Sequence, residues 1–399
     1  MPQIPTTLSG VVSSDMLLPI KVVLNMREEI PLLDGKRAWF EYITRKAAGK
    51  MRQIENMQYN FMEQRIYPMC ITTTGTAAGS ATTIPVDHPE YAHTRQLIYN
   101  TVTGEFYKMN EVTGGTNTAG SITIVGISGT GGLVQAVVAG QTLQILSMAQ
   151  FEGGAIPASF SAQPNARIAY LFQHDVTRSN TDIQKNTKEY GPKQLMIDRI
   201  MCWVQEMRKL SMLMYVGQQS VETVSSTGTK NTYTMSGIME QIQSNVTDFL
   251  TVPGILTLSG IGETMRKVMS HSDTSPDKLG IAGQNAIAAI SAMPVNAIRT
   301  SVSETEWGKD CKTLVTPHGN LSVGYDLLLA KEYGMADKMF ILDVAKIERL
   351  EMAGLNGATQ MLLNIQLSTD IHNQVDAITG TDGLLLGEEE LHAQIINIQ

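Results

Sequence analysis

PKQLMIDRIMCWVQEMRKLSMLMYVG, residues Pro192 to Gly217, is the stretch on which the fold turns. Met196, Ile200, Trp203, Val204, Met207, Leu210 and Met214 recur every three or four residues, and Asp198, Gln205, Arg208 and Lys209 occupy much of the remaining surface, the pattern of an amphipathic helix. Pro192 suits a first helical turn and Gly217 a C-terminal stop. At ~1.5 Å per residue such a helix spans roughly 40 Å, enough to brace a whole subunit.

Upstream lies a long tract almost without charge. From Val112 to Ala166 the only charged side chain is Glu152, and Ile66 to Val86 has none. An average soluble domain is about a quarter charged, so such a tract is poorly suited to water on every side. It is too rich in Gly, Ser, Thr and Gln for a membrane span, which needs about 20 predominantly apolar residues. Other protein is the expected cover, which points to an assembly subunit. Within this region Gln96 to Tyr99, Glu105 to Val112, Ser121 to Ile127 and Gln141 to Leu146 read as strands. They are separated by the turn-forming clusters Thr103-Gly104, Gly114-Gly115 and Gly129 to Gly132.

Residues 1 to about 34 read as an extended arm, and Gly35 to Arg65 as one or two amphipathic helices carrying Trp39, Phe40, Ile43, Ala47, Met51, Ile54, Met57 and Phe61. Beyond the long helix and a Ser/Thr-rich loop, Val221 to Thr232, short elements alternate. Gly262 to Ser270 and Gln284 to Met293 look helical; Leu314-Val315 and Leu321 to Val323 form a hairpin around Pro317 to Asn320; Lys338 to Asp343, Met361 to Leu367 and His392 to Ile398 look like strands. The mixture is α+β without regular βαβ alternation.

With 399 residues, 43% of them hydrophobic, the chain can bury a large core, and its net charge of -8 argues against a protein that grips nucleic acid through phosphates. A shell can enclose DNA without gripping it. No secretory signal pattern is visible between Met1 and Leu24, so the expected place of synthesis is the cytoplasm. Cys70, Cys202 and Cys311 are odd in number and far apart, as reduced thiols are. The 23 Met residues suit adaptable packing surfaces or simply fill the core.

Chemistry-bearing motifs are weak. Gly126 to Gly132, GISGTGG, lacks the spacing of a dinucleotide fingerprint and is not followed by GK[ST], so it reads as a flexible hairpin loop. His88 and His93 with Asp87 and Glu90 are interrupted by Pro89 and read as a surface turn, and Asp370, His372 and Asp376 as a solvated loop or strand edge. There is no GxSxG elbow, and Cys202 sits inside the helical pattern as a packed thiol. The expectation is no catalytic, cofactor or metal site and no enzyme.

The order of parts resembles the tailed-phage major capsid proteins of the Hong Kong 97-type fold over almost the whole chain. Local phrases carry it: Gly104-Glu105 in a hairpin, Gly140 to Leu146 followed by Phe151-Glu152-Gly153, Asn180 to Lys185 leading into the long helix, Thr316 to Leu321, Ile341-Leu342-Asp343 followed by Glu348 to Leu350, Asp382-Gly383-Leu384, and Leu391-His392-Ala393. They look like a subgroup with an enlarged extended loop. The resemblance implies an N-terminal arm and first helices over 1–63, an extended loop with a β insertion over 64–175, a peripheral domain with the spine helix over 176–234, an axial domain over 235–370, and C-terminal strands of the peripheral domain over 371–399. It further implies pentamers and hexamers in an icosahedral virion head assembled in the host cytoplasm. That head encloses double-stranded DNA without sequence-specific binding, is served by scaffolding, portal and decoration proteins, and needs no membrane. The alternatives are an encapsulin-like nanocompartment shell, a tail or baseplate protein, and an enzyme using the Gly126 to Gly132 loop.

Overall fold

The structure is a computed structural model, and it describes residues 39–44, 51–64, 68–114, 119–126, 133, 135–148, 152, 164–181, 194–223, 231–249, 256–271, 273–293, 298–299, 311–353, 359–366 and 373–398. The chain runs α1 (Trp39–Tyr42), β1 (Met51–Ile54), β2 (Gln58–Glu63), β3 (Cys70–Thr72), β4 (Thr83–Val86), β5 (Gln96–Asn100), β6 (Phe106–Thr113), β7 (Gly120–Gly126) and β8 (Thr142–Met148). Then follow β9 (Asn165–Tyr170), β10 (Phe172–Thr181), α2 (Gln194–Val216), β11 (Ser220–Thr223), β12 (Asn231–Thr234), α3 (Ile238–Gln241), β13 (Val246–Asp248), α4 (Leu258–Val268), β14 (Asp277–Ala282) and α5 (Gln284–Ser291). The last elements are β15 (Ile298–Arg299), β16 (Lys312–Thr316), β17 (Gly319–Tyr325), β18 (Met339–Leu342), β19 (Ile347–Met352), β20 (Gln360–Gln366), β21 (Asn373–Leu386) and β22 (Ala393–Ile396). The class is α+β, as expected. Two compact units result, Met1–Phe61 with Arg167–Gln399, and Met62–Ala166.

The larger unit is built on a seven-stranded sheet in the order β13-β22-β18-β14-β17-β16-β15. Its central strands are apolar on both faces, and successive side chains point to opposite sides. Phe340 and Leu342 of β18 and Leu279 and Ile281 of β14 join a core with Met207, Leu210 and Met214 of α2. Met339, Ile341 and Ala282 join a second core with Ile261, Met265 and Val268 of α4 and Ala286 and Ile290 of α5. Helices therefore cover both faces, which is why β18 reads as an unbroken apolar run. The hairpin β16–β17 and strands β18 and β22 fall where the sequence predicts them.

A five-stranded sheet, β1-β19-β21-β10 with β20 also on β21, makes up the other half of this unit. Its frame is the antiparallel pairing of β10 with β21 from Phe172↔Asp382 to Thr181↔Asn373. Sheet membership cuts the chain at other places than the expected domain ranges: β19 and β20 belong with β21, whereas β22 belongs to the seven-stranded sheet.

The smaller unit is a closed barrel. Its strands follow β3-β8-β5-β6-β7-β4, and the ring is sealed where Thr73 faces Val86. There Asp87 N donates to Thr72 O at 2.9 Å and Thr74 N to Pro85 O at 3.1 Å. Closure leaves no free sheet edge, and Ile71, Ile84, Ile98, Tyr107, Met109, Ile122, Ile124, Leu143 and Ile145 fill the interior. Part of the missing charge in Val112–Ala166 is thus explained inside the unit: β7 and β8 turn alternate side chains into this core.

Two expectations fail. Residues 51–63 are not helical: β1 pairs parallel with β19, and β2 alternates exposed and half-buried with the Tyr59 and Phe61 rings stacked at 6.2 Å. Pairing with a distant strand overrode a local 3–4 spacing that also contained a period of two. Nor is the long helix stripe covered throughout. Val204, Met207, Leu210 and Met214 are buried, but Met196 and Ile200 are 66% and 49% exposed. That end of α2 is held by charge, through Arg199 to Asp376 at 2.8 and 3.0 Å and Arg178 to Asp198. The arm, the Ile127 to Gly132 part of the glycine loop, and Asp370 and His372 lie outside the described residues.

Met214→Ala should accordingly destabilise the subunit by about 2–5 kcal/mol, while Met196→Ala should stay within about 0.5 kcal/mol. Urea unfolding of the two variants checks this, and equal losses would refute the divided stripe.

Candidate functional site

Three buried polar clusters hold the larger unit together, and each lies where a charge interrupts an apolar run. Asp326 is fully buried after β17. Its Oδ2 accepts from Phe40 N at 2.9 Å and from the Tyr215 hydroxyl at 2.8 Å, and its Oδ1 accepts from Leu328 N at 3.1 Å. One carboxylate thereby ties α1, the end of α2 and the turn at 327–329. Burial, then the charge and hydrogen bond of Asp326, push the Tyr215 pKa well above its ordinary value, so the phenol remains a donor. Gly324 completes the joint, since a Cβ there would lie 2.3 Å from the Trp39 ring. Gly217 does the same at the end of α2, where a Cβ would meet Leu213 O at 2.5 Å and Met235 O at 2.7 Å.

On the second cluster the last strand is fastened. Lys278 Nζ donates to Asp343 Oδ2 at 2.6 Å and to Leu391 O at 3.3 Å. Burial lowers the Lys278 pKa against the pull of Asp343. Burial also pushes Asp343 upward, but hydrogen bonds from Lys278, Ser275 N and Ala345 N outweigh it and leave a lowered pKa. His392 accepts from Asp343 N at Nδ1, 3.2 Å, and meets Gly387 O at Nε2, 3.2 Å. Both contacts require the neutral ring with its proton on Nε2. Burial depresses the His392 pKa to about 4.

The third cluster lies within the five-stranded sheet. Arg349 Nε donates to Asp382 Oδ1 at 2.6 Å, its Nη2 contacts the same oxygen, and His174 Nε2 and Thr359 Oγ1 meet Asp382 Oδ2. Arg349 and Asp382 are wholly enclosed. None of these residues was expected to be a buried ion partner, although a Lys within DKLGIA, an Arg within IERLEM and an Asp within TGTDGLLL were visible signs of paired burial.

The sequence-derived candidates are dispersed. Asp87 accepts from Thr72 N and His88 N, His88 Nδ1 meets Glu90 at 2.9 Å, and the backbone of His93 donates to Gln96. Asp376 binds Arg199. Cys70, Cys202 and Cys311 are free thiols. Among the described residues no group of three or more His, Cys, Asp or Glu could hold a metal ion, and no helix is long and apolar enough to cross a membrane. The buried polar groups are joined to one another across strands and helices, an arrangement that fixes a shape.

Residues 35–399 match the profile of the SU10 major capsid protein family, and the chain belongs to that family. This agrees with the resemblance to tailed-phage major capsid proteins. Among solved structures, the chain is similar to that of Mycobacterium phage Bobi at 7% identity, with a TM-score of 0.47, over 97% of this chain and 99% of that one. It is similar to the capsid of an empty GTA particle at 7% identity, with a TM-score of 0.47, over 97% and 98%. It also resembles the holo-SrpI encapsulin complex of Synechococcus elongatus PCC 7942 at 13% identity, with a TM-score of 0.39, over 59% and 76%. No curated protein matches the chain.

Two outcomes test the clusters. Because the folded-state pKa of His392 lies below its ordinary 6.5, the unfolded chain takes the proton first. Its contribution to stability is complete above about pH 6.5 and is lost as the pH falls toward 4. His392→Asn, which keeps an acceptor for Asp343 N, should flatten the urea midpoint between about pH 6.5 and 4.5; an unchanged slope would discard this assignment. Arg349→Met, leaving Asp382 buried and uncompensated, should cost about 3–5 kcal/mol, measured in the same way.

Proposed function

We propose that this chain is the non-catalytic building block of an icosahedral phage head, assembling as pentamers and hexamers around double-stranded DNA. Membership of a major capsid protein family over residues 35–399 carries the reading. The frame supports it: a sheet covered on both faces and polar clusters with cross-strand partners make a rigid subunit, and many modest interfaces between rigid copies sum to a stable shell. The excess negative charge supports a container that encloses DNA without gripping it.

In this reading the five-stranded sheet with α2 is the peripheral part, the seven-stranded sheet is the axial part, and the barrel is an insertion in the extended loop. Assembly takes place in the host cytoplasm, with scaffolding, portal and decoration proteins as partners. No catalytic residue, cofactor or metal enters the role.

The purified chain should form closed shells, observed by light scattering and electron microscopy. A single 43.6 kDa species at every salt and protein concentration, with scaffold present or absent, would refute shell building. Particles filled with a protein in place of DNA when isolated from infected or expressing cells would instead indicate a nanocompartment.

A further inference from the structure

The barrel has two unlike ends. At one, the segment 87–95 brings Asp87, His88, Glu90, His93 and Arg95 together, with Pro89 against Gly114 and Gly120. The other end is formed by the turns at 100–104 and 138–142. They are joined by Thr101 N to Thr142 O at 3.3 Å, Thr101 Oγ1 to the same oxygen at 2.9 Å, and Asn100 Nδ2 to Gln141 Oε1 at 3.1 Å. Thr73 belongs here too, its hydroxyl donating to Val138 O at 2.7 Å.

This second end is apolar where a turn would ordinarily be polar. Val102 is 65% exposed, Val138 53% and Phe106 48%, the last with its ring 4.7 Å from that of Tyr99. Residues 66–86, 96–104 and 112–151 carry no charge, so among the described residues around this end only the half-buried Glu105 and the exposed Lys108, two residues beyond Phe106 on the same face of β6, are ionic. Neither valine is needed inside: the barrel core is complete without them. Three large apolar side chains exposed around two joined turns mark a surface that another surface covers.

We propose that this end of the barrel meets the same end of a second copy of the chain. The chain carries a net charge of -8, so two copies repel over most of their surfaces. A contact between identical patches faces that repulsion in full unless the patch is nearly free of charge. The end at Val102 and Val138 meets this requirement, and the end at Asp87 to Arg95 does not. Apolar patches are also self-complementary without any need for paired donors and acceptors. The inference rests on the shell-building reading above, and it adds a contact from barrel to barrel.

The test uses two full-length double variants, V102E/V138E and V102K/V138K. Both positions are exposed, so circular dichroism and melting should match the wild type. Each variant alone should lose at least about tenfold in particle yield, because like charges face each other across the contact, and a one-to-one mixture should restore particles. Normal assembly of either variant alone would overturn the proposal. Failure of both alone and also in the mixture would do the same, since it would place a different surface opposite this end. If the wild type builds no shell, the capsid reading falls, and sedimentation then decides the contact. A wild-type dimer lost in each variant and regained on mixing upholds it, and a wild-type monomer overturns it.

Discussion

The subunit depends on a sheet that cannot face water on either side. β14 and β18 present Leu279, Ile281, Phe340 and Leu342 to one face and Ala282, Met339 and Ile341 to the other. Each face must be covered, and α2 covers one while α4 and α5 cover the other. Burial on both faces removes water from the polar groups that lie among these strands as well. Lys278, Asp343 and Asp326 consequently have partners on neighbouring elements, because an unpartnered buried charge costs far more than a paired one.

Those partners do more than compensate burial. Asp326 joins α1 to the end of α2; Lys278, Asp343 and His392 join the last strand to the centre of the sheet; Arg349 and Asp382 join β19 to β21. Each link spans segments far apart in sequence, and each holds one geometry. A shell subunit that repeats many times benefits from such discrete joints, since small errors in shape accumulate over a closed surface.

The barrel follows a different rule. It is uncharged over long stretches partly because its small interior takes up every second residue of β7 and β8. That accounts for the inward half of the tract. The turns that carry Val102 and Val138 are exposed and have no such intramolecular reason, so the absence of charge in the strands and in these turns has different causes.

By itself the sequence determined the α+β class, the long helix between Pro192 and Gly217, four barrel strands and the hairpin at Leu314 to Val323, because each carries a local period or a turn signal. The resemblance to tailed-phage capsid proteins was also legible in the order of these parts. Only the tertiary structure decided that residues 51–63 are strands, that the six strands close through Thr73 and Val86, and that α2 leaves Met196 and Ile200 uncovered. It also decided which charges are buried. Lys278 and Asp343 are 65 positions apart and His174 and Asp382 are 208 apart, and no local pattern records such a pairing. Periodicity reports which face of an element is apolar; what covers that face, and which charge answers which, is set by the approach of distant segments.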